Sequence, residues 1–233
     1  MPRPSRVVRR HRGTWLADGE VDRERARTGS RRSRWAVRKR WPVIRGMIFD
    51  IDGTLVDSVD LHARAWQETF RHFGHEIPYD RVRAQIGKGG DQLMPALLPE
   101  DVVRDRGEQI EAYRGDHYKR VYLPEDLAFP SVRELFERLR ADGKRLALAS
   151  SARGDELEAY NRITRVGDLI EAESSSDDAE RSKPHPDIFQ AALGRLGGLG
   201  PDEVLVVGDT PYDAEAAAKA GIRTVGMTCG GWP

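Results

Sequence analysis

Residues 46–54 read Gly-Met-Ile-Phe-Asp-Ile-Asp-Gly-Thr, a short apolar run that ends in two closely spaced aspartates. A continuous apolar run of this length, ended by polar residues, is typical of a buried strand in a parallel sheet. Open α/β sheets bind their ligands beyond the carboxyl ends of such strands. The stretch therefore predicts a parallel α/β sheet and places Asp50 and Asp52 where that sheet would meet a ligand.

The rest of the chain repeats this pattern, with helices between the strands. Further strands are predicted at residues 145–149, 168–172, 204–207 and 222–225. Helices are predicted at residues 131–143, 186–196 and 213–220, and the first of them begins with a predicted capping box between Ser131 and Glu134. Strands that alternate with helices predict a doubly wound parallel sheet with a Rossmann-like core.

A long insertion separates the first two predicted strands. It spans about 90 residues, far more than a crossover helix needs. Its segments at residues 79–86, 91–98 and 100–122 are rich in helix formers. We therefore predict a small helical cap at residues 59–127, inserted into a core of residues 43–58 and 128–233.

The start of the chain differs from this pattern. Residues 1–45 carry fifteen basic and four acidic side chains, a net charge of +11, although the whole chain is formally neutral. An arginine-rich arm could bind nucleic acid or another anionic surface through counterion release. The segment has neither strand nor helix periodicity, so we predict that residues 1–42 are a basic, disordered extension and do not expect nucleic acid as a partner.

Two features of the composition bear on the cellular setting. Cys229 is the only cysteine and cannot form an intrachain disulfide. No apolar run approaches the ~20 residues of a membrane span. These features favour a soluble protein of a reducing compartment, with the cytoplasm as the expected location and no membrane partner. They leave the oligomeric state undefined.

Four polar groups follow predicted strands or open loops beside them. They are Asp50–Thr54, Ser150–Ser151, the loop 182–187 around Lys183, and residues 208–213 with Asp209 and Asp213. Because parallel strands end at one edge of a sheet, we expect these groups to converge on one crevice. There, one of the two leading aspartates could attack a substrate while the other handles a proton.

In motif order and context, this set resembles the haloacid dehalogenase superfamily of phosphohydrolases. The resemblance covers roughly residues 46–232 and is closest to the branch of phosphoglycolate phosphatases and β-phosphoglucomutases. Its most specific part is the motif Asp50-x-Asp52-Gly-Thr. It implies a phosphoric monoester hydrolase that uses Mg²⁺ and acts on a small phosphorylated metabolite. It also implies that Asp50 becomes an aspartyl-phosphate and that Asp52 acts as acid and base, which requires a protonated Asp52 at the first step.

A phosphate dianion repels an anionic nucleophile, so such a site needs cations. Asp50 and Asp209 offer hard oxygen ligands for Mg²⁺, and the resemblance adds the backbone carbonyl of Asp52 to the metal ligands. Asp213 is expected to orient a metal-bound water or Lys183 without binding the metal directly. An ordinary N-cap role for Asp213 is the alternative.

The phosphoryl oxygens of a substrate need donors as well. Lys183 supplies a second positive charge to the predicted site. Ser150, together with the backbone N–H groups of Gly53, Thr54 and Ser151, would cradle the phosphoryl oxygens.

The predicted cap contains a glycine-rich turn at residues 86–93 that bears Lys88. Because the resemblance places such a turn over the site, Lys88 is a candidate for binding a second anionic or polar group of the substrate. A solvated lysine is the alternative. The histidines of the predicted cap show no metal-ligand pattern, so we expect surface or packing roles for them. They are His62, His72, His75 and His117.

Several alternatives stay open or are disfavoured by the motifs. A sugar-phosphate mutase would keep all four motifs, and isomerised product would mark it. Dehalogenase chemistry needs no second acid, and the related phosphonate-cleaving enzymes lack the second aspartate. A nucleic-acid-binding scaffold rests on the basic arm alone. Members of the superfamily usually continue beyond the fifth strand, so a truncated core is also left open.

Overall fold

The structure, a computed structural model, describes residues 42–152 and 154–232, without the side chains of residues 154 and 155. The predicted basic extension at residues 1–42 lies outside the described residues, apart from Pro42.

The described chain is built on one parallel sheet. Its strands are β1 (Gly46–Phe49), β2 (Arg145–Ala149), β3 (Ala172–Ser174), β4 (Val204–Gly208) and β5 (Arg223–Gly226). They lie in the order β3-β2-β1-β4-β5, and central β1 places Ile48 opposite both Ala147 and Val206. The predicted doubly wound parallel sheet is confirmed, and the carboxyl ends of β1, β2 and β4 lie side by side.

Eight α-helices are present in the described residues. They are α1 (Val59–His72), α2 (Tyr79–Arg83), α3 (Gly90–Leu97), α4 (Glu100–Val121), α5 (Val132–Ala141), α6 (Gly154–Thr164), α7 (Asp187–Arg195) and α8 (Pro211–Lys219). Short 3₁₀ turns occupy Leu123–Glu125, Ser176–Asp178 and Pro201–Glu203. The sequence pattern does not predict α6. None of these helices combines the length and the apolar character that a membrane crossing requires.

Two local predictions are wrong. Strand β3 begins only at Ala172, because Leu169 lies in a turn and packs, with Ile170, against the hydrophobic core. The predicted capping box at Ser131 does not form: the backbone there is left-handed, with φ 63°, and the side chain makes no capping hydrogen bond. An N-cap side chain normally acts from extended backbone.

Two hydrophobic clusters hold the helices to the sheet. Ile48 and Val206 face the cluster formed with α7 and α8. Phe49 faces the opposite cluster, formed with α5 and α6, in which Phe136 is fully buried. Successive strand residues point to opposite faces, so each strand contributes to both layers.

Helices α1 to α4 pack around a separate hydrophobic cluster that includes Trp66 and Phe70. They occupy residues 59–121, within the segment expected to form the cap. Next to this insertion, a backbone bridge joins Val56 to Ala128. The chain therefore leaves the sheet and returns to it at neighbouring points, beside the loop that follows β1.

Phe136→Ala is expected to lower the free energy of unfolding by about 3–5 kcal/mol, because it removes a fully buried ring. The ring centroid of Phe136 lies 4.6 Å from that of Phe49. Urea denaturation measures the loss. Leu135→Ala on the same helix is the control, since the exposed Leu135 should contribute no more than about 0.5 kcal/mol. Equal losses in the two variants would contradict this packing.

Candidate active site

The ends of β1 and β4 bring three aspartates together. Asp50 directly follows β1, Asp209 follows β4, and Asp213 lies in the first turn of α8. One carboxylate oxygen of each lies within 4.8 Å of the other two, and all three residues are buried. The N–H of Asp50 donates to the carbonyl of Val207 at 2.9 Å, which fixes Asp50 at the edge of the sheet.

Lys183 lies between two of these carboxylates and is 1 % exposed. Its Nζ contacts Asp50 Oδ1 and lies 2.8 Å from Asp213 Oδ1. Burial alone would lower the pKa of the Lys183 ammonium, but the charges of Asp213 and Asp50 outweigh burial and raise it. Lys183 is therefore a cation in contact with Asp50.

Neighbouring groups occupy both carboxylate oxygens of Asp213. Oδ2 accepts hydrogen bonds from Thr210 N at 3.0 Å and Thr210 Oγ1 at 2.5 Å, while Oδ1 faces Lys183. Thr210 is the N-cap of α8, and Asp213 completes a capping box with it. Asp213 is thus not itself the N-cap, and its contacts suit it to hold Lys183 in place.

Asp209 is the residue best placed for a metal ion. Its Oδ1 accepts from Thr54 Oγ1 at 3.2 Å, whereas the buried Oδ2 has no hydrogen-bond partner among the described residues. Burial, and then the charge of Asp213, raises the pKa of Asp209 to about 7. A hard divalent cation such as Mg²⁺ fits Asp50 and Asp209, because it takes oxygen ligands and would offset the crowded negative charge.

Gly53 lies directly against Asp209. Its φ is +78°, and a Cβ at this position would lie 2.4 Å from Asp209 Oδ2, so a side chain does not fit. The N–H of Gly53 donates to Val56 O at 2.8 Å, and the N–H of Thr54 donates to Ile51 O at 3.1 Å. The sequence predicted that these two N–H groups bind phosphoryl oxygens, whereas in the structure both donate to carbonyls within the tight turn.

The two serines after β2 have different surroundings. Ser150 is fully buried, and its Oγ accepts from Ala152 N at 3.1 Å. Ser151 lines a cavity together with Asp50 and Lys183, and its buried Oγ has no hydrogen-bond partner among the described residues. The hydroxyl with room for a ligand is therefore that of Ser151, whereas the sequence singled out the hydroxyl of Ser150.

Asp52 accepts three hydrogen bonds on one oxygen. Its Oδ1 lies 2.6 Å from Ser58 Oγ, 2.9 Å from His62 Nε2 and 2.9 Å from Tyr160 OH. The Arg114 guanidinium contacts the other ring nitrogen of His62. A guanidinium can only donate, so the partners assign the hydrogen of His62 to Nε2, where it points at Asp52.

The sequence did not identify His62, Arg114 or Tyr160 as site residues, and expected only packing or surface roles for the histidines. One signal was available for His62. It lies on the buried stripe of α1 at the helical spacing that it shares with Trp66. A polar ring on such a stripe needs a partner, and Asp52 is that partner.

The surroundings of Asp52 favour its carboxylate form. Burial alone would raise the pKa of Asp52, but the charge that His62 carries when it is protonated, together with the hydrogen bonds from His62, Ser58 and Tyr160, outweighs burial and lowers the pKa well below its usual value. This differs from the expectation that the environment keeps Asp52 protonated. The proton that Asp52 would give to a leaving group must therefore reach it from elsewhere.

The cavity lies between the sheet edge and the insertion helices. Besides the core residues already described, it is lined by Trp66, Lys88, Glu111, Arg114 and Glu156. Its wall thus carries both signs of charge, next to the face of one aromatic ring. A polar or charged small molecule matches this lining better than an apolar one.

Lys88 lines this cavity on the turn before α3. Its Nζ donates to Gln85 Oε1 at 2.6 Å and lies 4.6 Å from the ring centroid of Tyr212. The same turn rests on the loop that carries Lys183, where the N–H of Ser182 donates to Asp91 Oδ2 at 3.1 Å. The glycine-rich turn therefore reaches the site, with the Lys88 ammonium engaged by Gln85 and Tyr212.

Comparison with known proteins supports one family. The sequence profile described as haloacid dehalogenase-like hydrolase matches residues 44–221. Phosphoglycolate phosphatase of Yersinia pseudotuberculosis is 33% identical over 197 residues, covering 82% of this chain and 84% of that protein. Pyrophosphatase PpaX of Anoxybacillus flavithermus is 28% identical over 188 residues, covering 79% and 83%. A hydrolase structure from Pseudomonas syringae matches with a TM-score of 0.75 at 29% identity, covering 81% of this chain and 87% of that one.

Divalent-cation affinity is expected to increase with pH and to level off above about pH 7. The raised pKa, about 7, leaves Asp209 protonated at lower pH, so a cation must displace a proton there. Calorimetric titration of the full chain with Mg²⁺, without substrate, measures this dependence. Asp209→Asn should bind weakly and should lose the part of the pH dependence that comes from Asp209, while proton competition at Asp50 remains. An affinity of the unchanged protein that is constant from about pH 5.5 to about pH 8 would contradict the assignment.

Proposed function

Since the chain belongs to the haloacid dehalogenase-like hydrolases and is a phosphoric monoester hydrolase, we propose that it is a Mg²⁺-dependent phosphatase. The proposed substrate is a small phosphorylated metabolite, and the proposed intermediate is an aspartyl-phosphate on Asp50. One observation carries the proposal: Lys183 contacts Asp50 inside a buried cluster of three carboxylates. That arrangement suits a nucleophile that must meet an anionic phosphate ester.

Asp50 is the proposed nucleophile. Lys183 holds its Oδ1, which leaves the other carboxylate oxygen for the attack on phosphorus. When bound, Mg²⁺ would be held by Asp50, Asp209 and the backbone carbonyl of Asp52, and would offset the repulsion between the nucleophile and the phosphate. Asp213 keeps Lys183 in position.

The phosphoryl oxygens need donors other than those in the tight turn. Lys183 and the Ser151 hydroxyl border the cavity and are the nearest candidates. The Ser150 hydroxyl instead accepts a hydrogen bond from Ala152 N, and the Thr54 hydroxyl donates to Asp209. This assignment modifies the sequence prediction, which gave the phosphoryl contact to the Ser150 hydroxyl and to the backbone N–H of Ser151.

Asp52 is the proposed acid and base. As the Asp50 oxygen bonds to phosphorus, the ester P–O bond breaks and the leaving oxygen takes a proton from Asp52. A phosphate monoester has a second pKa near 6, so a substrate that enters as the monoanion can bring this proton with it. Asp52 then takes a proton from water, the water oxygen bonds to phosphorus, and phosphate leaves Asp50.

The cavity between the core and the insertion supports the proposed substrate class. Lys88, on the glycine-rich turn, is the proposed contact for a second anionic or polar group of the substrate, with Arg114 on the same wall. One relative is named phosphoglycolate phosphatase and another a pyrophosphatase, so phosphoglycolate and pyrophosphate are the first compounds to test.

The proposed function is tested by phosphate release from a panel of small phosphorylated metabolites, with Mg²⁺ and with a chelator. We expect release from at least one member, lost on chelation and restored by Mg²⁺. Products are identified as well, because an isomerised sugar phosphate without free phosphate would indicate the mutase alternative. Absence of release from the whole panel, or release that chelation does not affect, would overturn the proposal.

Asp50→Asn and Asp52→Asn are expected to fail in different ways. Asp50→Asn should lose turnover, covalent phosphate and much of the Mg²⁺ affinity, because an amide oxygen is a poor nucleophile and a weaker ligand. Asp52→Asn should keep its Mg²⁺ affinity, while kcat falls by about 10² to 10⁴-fold, the usual range for a positioned acid and base. Steady-state kinetics, acid-quench trapping and calorimetry measure the three effects.

Asp105→Asn, an exposed position on α4, is the matched control for the change from carboxylate to amide. Near-normal hydrolysis by Asp50→Asn, or trapped phosphate on another residue, would show that the nucleophile is misassigned. Full activity of Asp52→Asn would remove the acid and base role from Asp52.

A further inference from the structure

The Tyr160 hydroxyl reaches the Asp52 carboxylate from a helix that carries none of the sequence motifs. Tyr160 lies on α6, is fully buried, and belongs to the hydrophobic cluster that includes Phe49 and Phe136. Its hydroxyl lies 2.9 Å from Asp52 Oδ1. The core of the sheet domain therefore fixes the ring, and the hydroxyl is the polar end that this ring presents to Asp52.

The neighbours of Tyr160 determine where its one hydrogen goes. Tyr118 OH donates to Asp126 Oδ2 at 2.7 Å, so the hydrogen of Tyr118 is already used. The Tyr160 oxygen lies 3.4 Å from the Tyr118 oxygen but only 2.9 Å from Asp52 Oδ1, an atom that in a carboxylate can only accept. His62 Nε2 lies 3.1 Å from the Tyr160 oxygen, but it carries a hydrogen and so cannot accept the one from Tyr160. Tyr160 therefore donates to Asp52.

The three donors to Asp52 Oδ1 come from two parts of the molecule. Ser58 is the N-cap of α1 and His62 lies on α1, so both donate from the first helix of the insertion or from the residue directly before it. Tyr160 belongs to the layer of helices packed on the sheet. Among the described residues, no hydrogen bond reaches Asp52 Oδ2, which leaves that oxygen to exchange the proton.

We propose that Tyr160 is a positioning residue for the acid and base function of Asp52. It anchors Oδ1 to the rigid core and so keeps Oδ2 directed at the leaving group and then at the attacking water. Ser58 and His62 donate to the same oxygen from the N-cap of α1 and from α1 itself. Tyr160 is the donor of the three that lies outside α1 and its cap. This inference rests on the proposed phosphatase function and adds a residue outside the four sequence motifs.

The test compares two substrates that differ in their need for an acid. An alkyl phosphate has a poor leaving group that must be protonated, whereas p-nitrophenolate leaves without a proton. Tyr160→Phe should lower kcat/KM for the alkyl phosphate by about 10- to 100-fold, and for p-nitrophenyl phosphate by less than about threefold. A merely structural role would lower both values equally, because folding defects do not distinguish leaving groups.

Two further variants sharpen this test. In an Asp52→Asn background, Tyr160→Phe should cause no additional loss, because the group that it positions is gone. Tyr113→Phe removes a hydroxyl from a ring that stacks on His72 in the insertion, and should leave both substrates unaffected. Tyr160→Phe keeps the aromatic ring, so the core remains filled. Thermal unfolding measures whether the variant is folded.

The outcomes separate this inference from the function on which it rests. If the unchanged protein hydrolyses no phosphate ester, the proposed function fails. If it hydrolyses both substrates and Tyr160→Phe does so equally well, the positioning role fails alone. Equal loss on both substrates, or a further loss in the Asp52→Asn background, also overturns the role.

Discussion

The contact of the buried Lys183 ammonium with the carboxylates of Asp50 and Asp213 is the interaction on which the site depends. It joins three distant parts of the chain: the end of β1, the loop before α7 and the first turn of α8. Removing one partner of such a buried pair leaves an uncompensated charge and typically costs about 3–5 kcal/mol. One ammonium still does not balance three carboxylates, since Asp209 is added to them. This surplus of carboxylates fits a divalent cation, which would in turn attract a phosphate.

The sequence predicted those parts of the molecule whose burial is visible as a pattern of residues along the chain. Buried parallel strands are apolar runs, so four of the five strands and the residues at their ends could be located, including Asp50 and Asp209. The strand expected at residues 168–172 was misplaced, because an apolar pair in a turn resembles a strand. Tyr160 and the roles of the serine hydroxyls were out of reach, because they depend on which groups tertiary packing brings together.

The junction between the helical insertion and the sheet explains how a cavity with charged walls can exist next to the three buried aspartates. The insertion has its own hydrophobic cluster. Polar contacts to the backbone join it to the core, such as Tyr212 OH donating to Ala84 O at 2.6 Å and Arg83 donating to Gly230 O at 3.0 Å. Interfaces between parts of a chain that are polar in this way favour relative motion more than interfaces with a shared apolar core. The cavity lies at this junction, so a molecule bound in it would contact residues of both parts.

The two aspartates of the motif are chemically alike, and their surroundings alone give them opposite properties. Burial raises the pKa of Asp50, and the surrounding carboxylates of Asp213, Asp209 and Asp52 add to this effect although Lys183 opposes it. Hydrogen-bond donors surround Asp52 instead and lower its pKa. The surroundings of Asp50 thus disfavour its carboxylate form, whereas those of Asp52 favour it. A divalent cation bound beside Asp50 would add positive charge and so favour its carboxylate form. Pairs of titratable groups whose environments separate their pKa values in this way are typical of acid and base catalysis.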